Sequence, residues 1–477
     1  MIVDATPAEH IADLLARQRA QRLAEGCGDA ASRRVRIQRV IDLLVENHRT
    51  LVEAIDLDFG GRPRGYSIMN DVLGSLTSLK HARDHLETWM QPEPRPVFAP
   101  YDQLGATAQV RYQPKGSVGI LGTWNAPLFT LLSPLAYALA AGNRAVLKPS
   151  EIVPRTAAIL AELFAARVDP ADVAVVTGGP ELADAFTRQP FDHLVFTGST
   201  AVGKSVMRNA AEHLVPVTLE LGGKSPTVIG RSADLPQAAE RTAMAKASNA
   251  GQLCVNADLV YVPRERLDEF AADLAKTYGE LLPQVTGNPD AVSVVSAKHH
   301  ARIRGYLDDA AAHGARIEVA PADESGRAED RRLPLHIVID PPADALIMRE
   351  EIFGPAVVLL PYDTVEQVLA DINARPNPLA LYYFGTDAAE KQQVLDHTLS
   401  GGVTVNDLMM HPGLEDAPFG GVGASGMGHY HGREGFLEFS HARTVFEAPP
   451  SDLRREYGLV PPYGPDFESM MAAQITP

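Results

Sequence analysis

The sequence predicts an α/β protein with a doubly wound parallel sheet. Two observations carry that reading. From residue 118 onward, short apolar runs alternate with helix-compatible ones, and several of these runs end in glycine-rich turns. The runs VGILG, RAVLK, VAVVTG, HLVFTG and PVTLELG give five strands separated by helices. Each is apolar on both faces, as strands covered by helices on both sides must be. In such sheets ligands bind beyond the carboxyl ends of the strands. Three segments fall there: Lys148-Pro149-Ser150-Glu151, the loop Gly198 to Gly203, and Glu220-Leu221-Gly222-Gly223.

The elements before and after this series follow from local pattern. The first 90 residues read as helical, with Ser32 placed to cap RRVRIQRVIDLLVENHRTLVEAI, where apolar positions recur at three and four. A second helical run, SIMNDVLGSLTSLKHARDHLETWM, ends at the proline-rich linker QPEPRPVFAP, residues 91–100. The stretch YDQLGATAQVRYQPKG predicts two short strands with a turn near Gly105. After the five-strand series, a second α/β region runs from about 224 to 425 and holds NAGQLCVNADLVYVP, LHIVID, EEIFGPAVVLL and GGVTVND. The tail from 447 onward is rich in Pro and Tyr and is expected to lie as an extended arm.

Bulk properties narrow the function classes. With 477 residues, 45% hydrophobic and 22% charged, the chain is long enough for two or three packed domains. Its net charge of −17 repels nucleic acid and anionic lipid, so neither is an expected partner. The N-terminus mixes acids and bases with no apolar segment, unlike a signal peptide, and no run approaches the roughly 20 apolar residues of a membrane span. Only Cys27 and Cys254 are present, which suits a reducing cytoplasm.

One motif invites a different reading. Gly198, Gly203, Lys204 and Ser205 fit the P-loop pattern G-x-x-x-x-G-K-[ST], between a strand and a helix. A nucleotide triphosphatase also needs an acid at a strand end to hold Mg²⁺, and Asp340 closes HIVID. Strand closure alone also explains Asp340. Against the P-loop, this turn follows the fourth strand of the series, and other residues suggest chemistry that a phosphate hydrolase does not need.

Those residues are Asn125, Glu220 and Cys254. Cys254 lies in GQLC, a polar, glycine-flanked setting, although a lone Cys is often an inert core residue. Glu220 closes an apolar strand before two glycines, and a buried carboxylate there must be paired or functional. Asn125, in the turn TWNA, is either a turn-former or a donor to an oxyanion. Each is ambiguous alone. Together beside a dinucleotide-type sheet they fit a thiol-dependent oxidoreductase.

The chain resembles the NAD(P)-dependent aldehyde dehydrogenase superfamily over essentially its whole length. The matching stretches are TWNAPL, AAGNRAVLKPSE, FTGSTAVGK, VTLELGGKSP, NAGQLC, EEIFGP and PFGGVGASGMG, with the Cys of GQxC standing 34 positions after Glu220. DFGGRPRGYSIMND and GMGHYHGREGFLEFSH are most similar to the class 3 and coniferyl aldehyde dehydrogenase branch. On this resemblance the glycines at 198 and 203 belong to a G-x-T-x-x-G turn, and the Lys204-Ser205 pair is a coincidence of spelling.

The resemblance implies a Rossmann-like cofactor-binding domain over 1–98 and 119–221, a catalytic domain over 222–428, and a bridging element over 99–118 and 429–477 that assembles a homodimer. It implies Cys254 as nucleophile, Glu220 as general base and Asn125 as oxyanion donor. It implies NAD, with NADP possible, held by Trp124, Lys148, Ser150, Glu151, Gly198, Ser199, Gly203, Leu221, Glu351 and Phe353. Glu151 favours NAD⁺, because a carboxylate accepts from a ribose 2′-hydroxyl and repels a 2′-phosphate. The expected substrate is a small-molecule aldehyde, hydrophobic or aromatic, oxidised to its acid. Ala126 departs from the family, whose members carry an aromatic after the Trp-Asn pair, and it leaves room in the substrate tunnel. A CoA-acylating relative would use the same Cys but lack the base that Glu220 supplies, and a non-catalytic descendant would be expected to lose Cys254 or Glu220. The HYH of GHYHG has metal-like spacing without Cys or carboxylate partners, and no metal site is expected.

Overall fold

The computed structural model describes residues 6–99, 101–322, 330–451 and 453–477. The described chain divides into a large unit, residues 1–89 and 114–440, and a small one, residues 90–113 and 441–477.

The large unit contains two sheets. The first has six strands in the order Gly426–Met427, Val217–Leu221, His193–Gly198, Ser117–Leu121, Arg144–Lys148 and Val173–Val175. Its last five strands are parallel and are the five apolar runs of the sequence; the two-residue edge strand is antiparallel. Helices Phe129–Ala140, Pro154–Arg167, Pro180–Thr187 and Thr200–Ala211 alternate with these strands. The core on one side joins Leu121, Val146, Leu194, Phe196 and Leu219 to Phe186, Phe191 and Val206. Inside this core, a Cβ on Gly203 would come within 2.8 Å of Leu221 Cδ2. The glycine therefore lets the helix after Gly198 lie close on the strand that ends in Glu220.

The second sheet has seven strands, ordered Arg316–Ala320, Leu335–Ile339, Ala356–Tyr362, Leu259–Pro263, Pro226–Ile229, Ala380–Phe384 and Gly402–Val405. All pair in parallel except Arg316–Ala320. Its helices bury Ile303, Leu307, Val368 and Ile372 against the strands. The first 90 residues are largely helical as expected, over Ala8–Glu25, Ala30–Phe59 and Gly74–Trp89. The cap of the long helix is Asp29, however, whose carboxylate accepts from the Ser32 amide at 2.8 Å. The helix starts two residues before Ser32, so Ser32 is the donor and not the cap.

The small unit corrects three local expectations. Residues 101–116 do not form two strands: Tyr101–Leu104 is a 3₁₀ turn, and a single strand spans Thr107–Pro114. Its antiparallel partner Glu93–Arg95 lies within the proline-rich segment read as a linker. Pro94 is tolerated because this strand is the sheet edge. Ser440–Glu447 completes the three-stranded sheet. The tail is not wholly extended, since it forms short helices at Leu453–Glu456 and Phe467–Ala473.

Candidate active site

The first sheet brings its expected residues to adjacent strand ends. Lys148 ends its strand 3% exposed, and its ammonium reaches Glu151 Oε2 at 3.3 Å and the Pro149 carbonyl at 3.2 Å. Burial lowers its pKa, and the Glu151 carboxylate opposes that shift. Ser150 is buried, and its hydroxyl accepts from the Ile152 amide at 3.3 Å. On the neighbouring side, Gly198 leads into Ser199, which caps the helix Thr200–Ala211 by accepting from Val202 at 3.5 Å. This end of the helix presents amide hydrogens and positive dipole toward an anion. Leu221 is buried against Gly203, so its side chain fixes the helix.

The P-loop reading finds no support in this arrangement. Lys204 lies exposed within the helix, where a phosphate-binding Lys would face the loop. Asp340 follows a strand of the other sheet. Of the HYH histidines, His429 is exposed while His431 is buried and meets Ser133 Oγ at 3.1 Å.

Glu220 is the most unusual group. It is 3% exposed, and neither carboxylate oxygen has a hydrogen-bond partner. Burial raises its pKa well above 4.5, with the Gly421 amide weakly opposing. The loop PFGGVGASGMG returns over it, pairing Gly426 with Glu220 and offering the Ser425 carbonyl to the Leu221 amide at 2.9 Å. Burial disfavours the charged form of this carboxyl, and that is the cause of the upward shift.

Cys254 comes from a loop of the second region. The loop before it turns through three consecutive left-handed residues, Asn249, Ala250 and Gly251, with φ of 50°, 52° and 70°. Gln252 pins this loop by donating to the Asn249 and Ser293 carbonyls, at 2.9 and 3.1 Å, and accepting from the Val295 amide at 3.0 Å. The thiol is half-buried. Burial first, then the charges of Glu351 and Glu220, push it up to about 12. Asn125, 3% exposed, donates its amide to the Gln252 carbonyl at 3.0 Å, while its Oδ1 is unpartnered. One amide hydrogen of Asn125 is thus committed to the loop, leaving the second for a ligand.

The EEIFGP segment closes the site. Phe353 has φ of 46°, and its ring meets Trp124 edge-on at 5.3 Å. A Cβ on Gly222 would lie 2.2 Å from Glu351 Oε2, so the Glu351 carboxylate reaches across the glycines after Glu220. Burial raises Glu351 to about 8, with Asp258 adding to the shift. Sequence reasoning missed the residues that hold this segment. Arg302 donates to the Glu351 and Phe353 carbonyls at 3.1 and 3.3 Å, and Lys224 joins Asp258 at 3.1 Å to the Glu350 carbonyl at 2.8 Å. Lys224, in ELGGKSP, was visible in the motif; Arg302 and Asp258 carry no local signal.

The residues present fit a dinucleotide. The anion-facing helix and the ammonium follow strands on either side of Ser117–Leu121, and the Glu351 carboxylate lies over Gly222, two residues after the buried Glu220. No helix among the described residues is long and apolar enough to cross a membrane. Comparisons with known proteins identify the family. The aldehyde dehydrogenase family profile matches residues 7–445. A probable coniferyl aldehyde dehydrogenase of Caulobacter vibrioides is 47% identical over 466 residues, covering 97% of this chain and 96% of the relative. Aldehyde dehydrogenase family 3 member A2 of Rattus norvegicus is 40% identical, covering 78% of this chain and 73% of that protein. Among solved structures, substrate-bound Staphylococcus aureus AldH superposes with a TM-score of 0.90 at 31% identity, covering 97% of this chain and 99% of the other. The Mycobacterium tuberculosis aldehyde dehydrogenase complexed with NAD⁺ gives 0.83 at 30% identity, covering 94% and 92%. The chain belongs to the aldehyde dehydrogenase family, and it is an NAD(P)-dependent enzyme that oxidises aldehydes.

Proposed function

We propose that the substrate is a hydrophobic, aromatic aldehyde, oxidised to its acid with NAD⁺ preferred, and that Cys254, Glu220 and Asn125 perform the chemistry. The observation that carries the mechanism is Glu220: a dry, unpartnered carboxyl close enough to the Cys254 thiol for their charges to couple. Such a group exchanges protons at modest cost because no ion pair fixes its charge.

The thiol proton passes to the Glu220 carboxylate or to an intervening water and from there to solvent, which returns Glu220 to its basic form, and Sγ bonds to the aldehyde carbon. The carbonyl oxygen becomes an oxyanion, held by the remaining Asn125 amide hydrogen and the Cys254 backbone N–H. Losing one such donor costs about 3–4 kcal/mol of barrier. When bound, an oxidised nicotinamide would supply the hydride acceptor. The C–H bond gives up its two electrons as hydride, and the carbonyl re-forms as a thioester on Cys254. Glu220 then takes a proton from water, whose oxygen attacks the thioester; the S–C bond breaks and the acid leaves. Trp124 and Phe353 would wall the nicotinamide, Glu351 would hold its ribose, and Lys148, Ser150, Glu151, Gly198 and Ser199 would take the adenosine and pyrophosphate.

The aromatic preference rests on the similarity to coniferyl aldehyde dehydrogenases and on the apolar residues Leu128, Phe129 and Leu253, with the buried Ala126 leaving volume for a ring. An apolar pocket gains roughly 25 cal/mol per Å² of ring buried. Steady-state kinetics should give a higher kcat/KM for cinnamaldehyde than for succinic semialdehyde; the reverse order rejects the aromatic reading. The three-stranded sheet of the small unit keeps open edges, and we place the homodimer contact there. A monomer in light scattering at micromolar concentration rejects that placement.

A further inference from the structure

We infer that Arg62 is a positioning residue for the reaction: its guanidinium holds the Asn125 turn and the Asn249–Cys254 loop in one register. The inference rests on the roles proposed above for Cys254 and Asn125.

Arg62 follows the Gly60-Gly61 turn that ends the helix Ala30–Phe59. Its side chain is fully buried and lies over the rings of Phe59 and Tyr66, each 4.9 Å from the guanidinium carbon. Three of its nitrogens reach three different segments. Nη1 pairs with Asp71 Oδ2 at 2.9 Å, Nε donates to Asn249 Oδ1 at 3.0 Å, and Nη2 donates to the Asn125 carbonyl at 3.3 Å. Asp71 is equally buried, and its other oxygen accepts from the Leu128 amide at 3.1 Å. Asp71 itself sits in a π-helical turn, Ile68–Leu73. The Arg62–Asp71 pair therefore grips the Asn125–Leu128 turn at both ends.

The other half of the clamp is Asn249. Oriented by Arg62, its amide donates to the Asn125 and Gln252 carbonyls, both at 3.1 Å. Asn249 opens the left-handed turn that carries the chain into Cys254. Left-handed conformation is strained for Ala250 and persists only where surrounding contacts over-determine it. Here those contacts converge on Arg62, which stands 63 residues from Asn125 and 187 from Asn249. A buried ion pair is a weak stabiliser but a strict selector of register. Only a planar fork can serve Asp71, Asn249 and Asn125 together; a Lys ammonium is a point charge on a flexible stem.

The test is Arg62→Lys in the full-length enzyme, which keeps a charge for Asp71 and removes the fork. The melting temperature and the NAD⁺ dissociation constant should stay near wild type, because the cofactor strands are untouched. Turnover should fall by roughly tenfold or more while the aldehyde KM changes less than about threefold, as expected when reacting groups are misplaced. Should Arg62→Lys fail to fold, Arg62→Met combined with Asp71→Leu removes the pair without stranding a charge, and the same split is expected. Wild-type turnover in whichever variant folds overturns the inference. So does a fall in turnover matched by equal losses of melting temperature and NAD⁺ affinity. Alkylation of Cys254 by iodoacetamide, read by peptide mass, needs no aldehyde oxidation. It should quicken at least threefold as the released loop admits solvent. If the wild type oxidised no aldehyde, the proposed function would fail on its own, and an unchanged alkylation rate would separately overturn the role of Arg62.

Discussion

Glu220 and Cys254 are the two groups proposed for the chemistry, yet the molecule holds them by opposite means. Glu220 ends a buried parallel strand whose register is fixed by neighbours on both sides, Thr197 and Gly426. Its backbone is ordinary, and its carboxyl is the group left without a partner. Cys254 follows a turn of three left-handed residues on a loop that Gln252, Asn249 and Arg62 pin from three directions. Strand ends give placement through the sheet alone and leave side chains available for chemistry. A loop gives freedom to approach from above, and the clamps must supply the precision. The nucleophile's region is accordingly the one whose placement single distant residues can undo.

The largest effect should come from removing the thiol. Cys254→Ala should lower aldehyde oxidation by at least about four orders of magnitude, since covalent chemistry has no substitute group nearby. NAD⁺ binding, read by fluorescence titration, should stay near wild type because the cofactor strands lie in the other sheet. Measurable turnover in this variant would remove the covalent mechanism and the contrast built on it.

Glu220→Gln sharpens the comparison from the other side. Slower acid release, by roughly 10²–10⁴-fold, should let the thioester on Cys254 be trapped for mass spectrometry. The same variant reports on stability. Burial raises the folded pKa of Glu220 above the unfolded value near 4.5, so the folded state retains a proton that the unfolded chain releases. That contribution is fully present below about 4.5 and is lost as pH rises through the raised value. Gln carries no such charge. In thermal scans Glu220→Gln should therefore melt above wild type near pH 9, and the gap should close near pH 5. A Glu220→Gln variant that melts below wild type near pH 9, with the deficit closing on acidification, would mean that Glu220 is ionised and paired in the folded protein.

The two regions also differ in how far they can be read from sequence. The five parallel strands and the residues at their ends were legible because burial on both faces writes continuous apolar runs, and glycine marks the close helix–strand contact at Gly203. Lys148 and Glu220 stood out as charges closing such runs. The clamps of the Cys254 loop were not legible. Arg62, Asp71, Asn249 and Asp258 act through contacts spanning many tens of residues, and no local periodicity encodes a partner that far away. The small unit failed for a different reason. Pro94 argues against a strand by propensity, yet an edge strand lacks one set of partners and tolerates it.

The smallest effect tests whether strand-end placement extends to cofactor choice. Glu151 is exposed, and its carboxylate meets the Lys148 ammonium at 3.3 Å. Lys148 is the buried partner and Glu151 the exposed one, so the melting temperature is read beside the kinetics to separate a lost ion pair from a changed cofactor preference. Glu151→Gln removes the negative charge that repels a 2′-phosphate while keeping an acceptor for a 2′-hydroxyl. Lys148, released from its partner, becomes available to an added phosphate. The ratio of kcat/KM for NAD⁺ over NADP⁺ should therefore fall by roughly 5- to 30-fold, equivalent to about 1–2 kcal/mol, mainly through tighter NADP⁺ binding. If the ratio held while the aldehyde kinetics changed, the adenosine ribose would lie elsewhere, and Lys148 would be a structural charge like Arg144, which on the same strand is already paired with Glu25 at 2.7 Å and Asp172 at 3.1 Å.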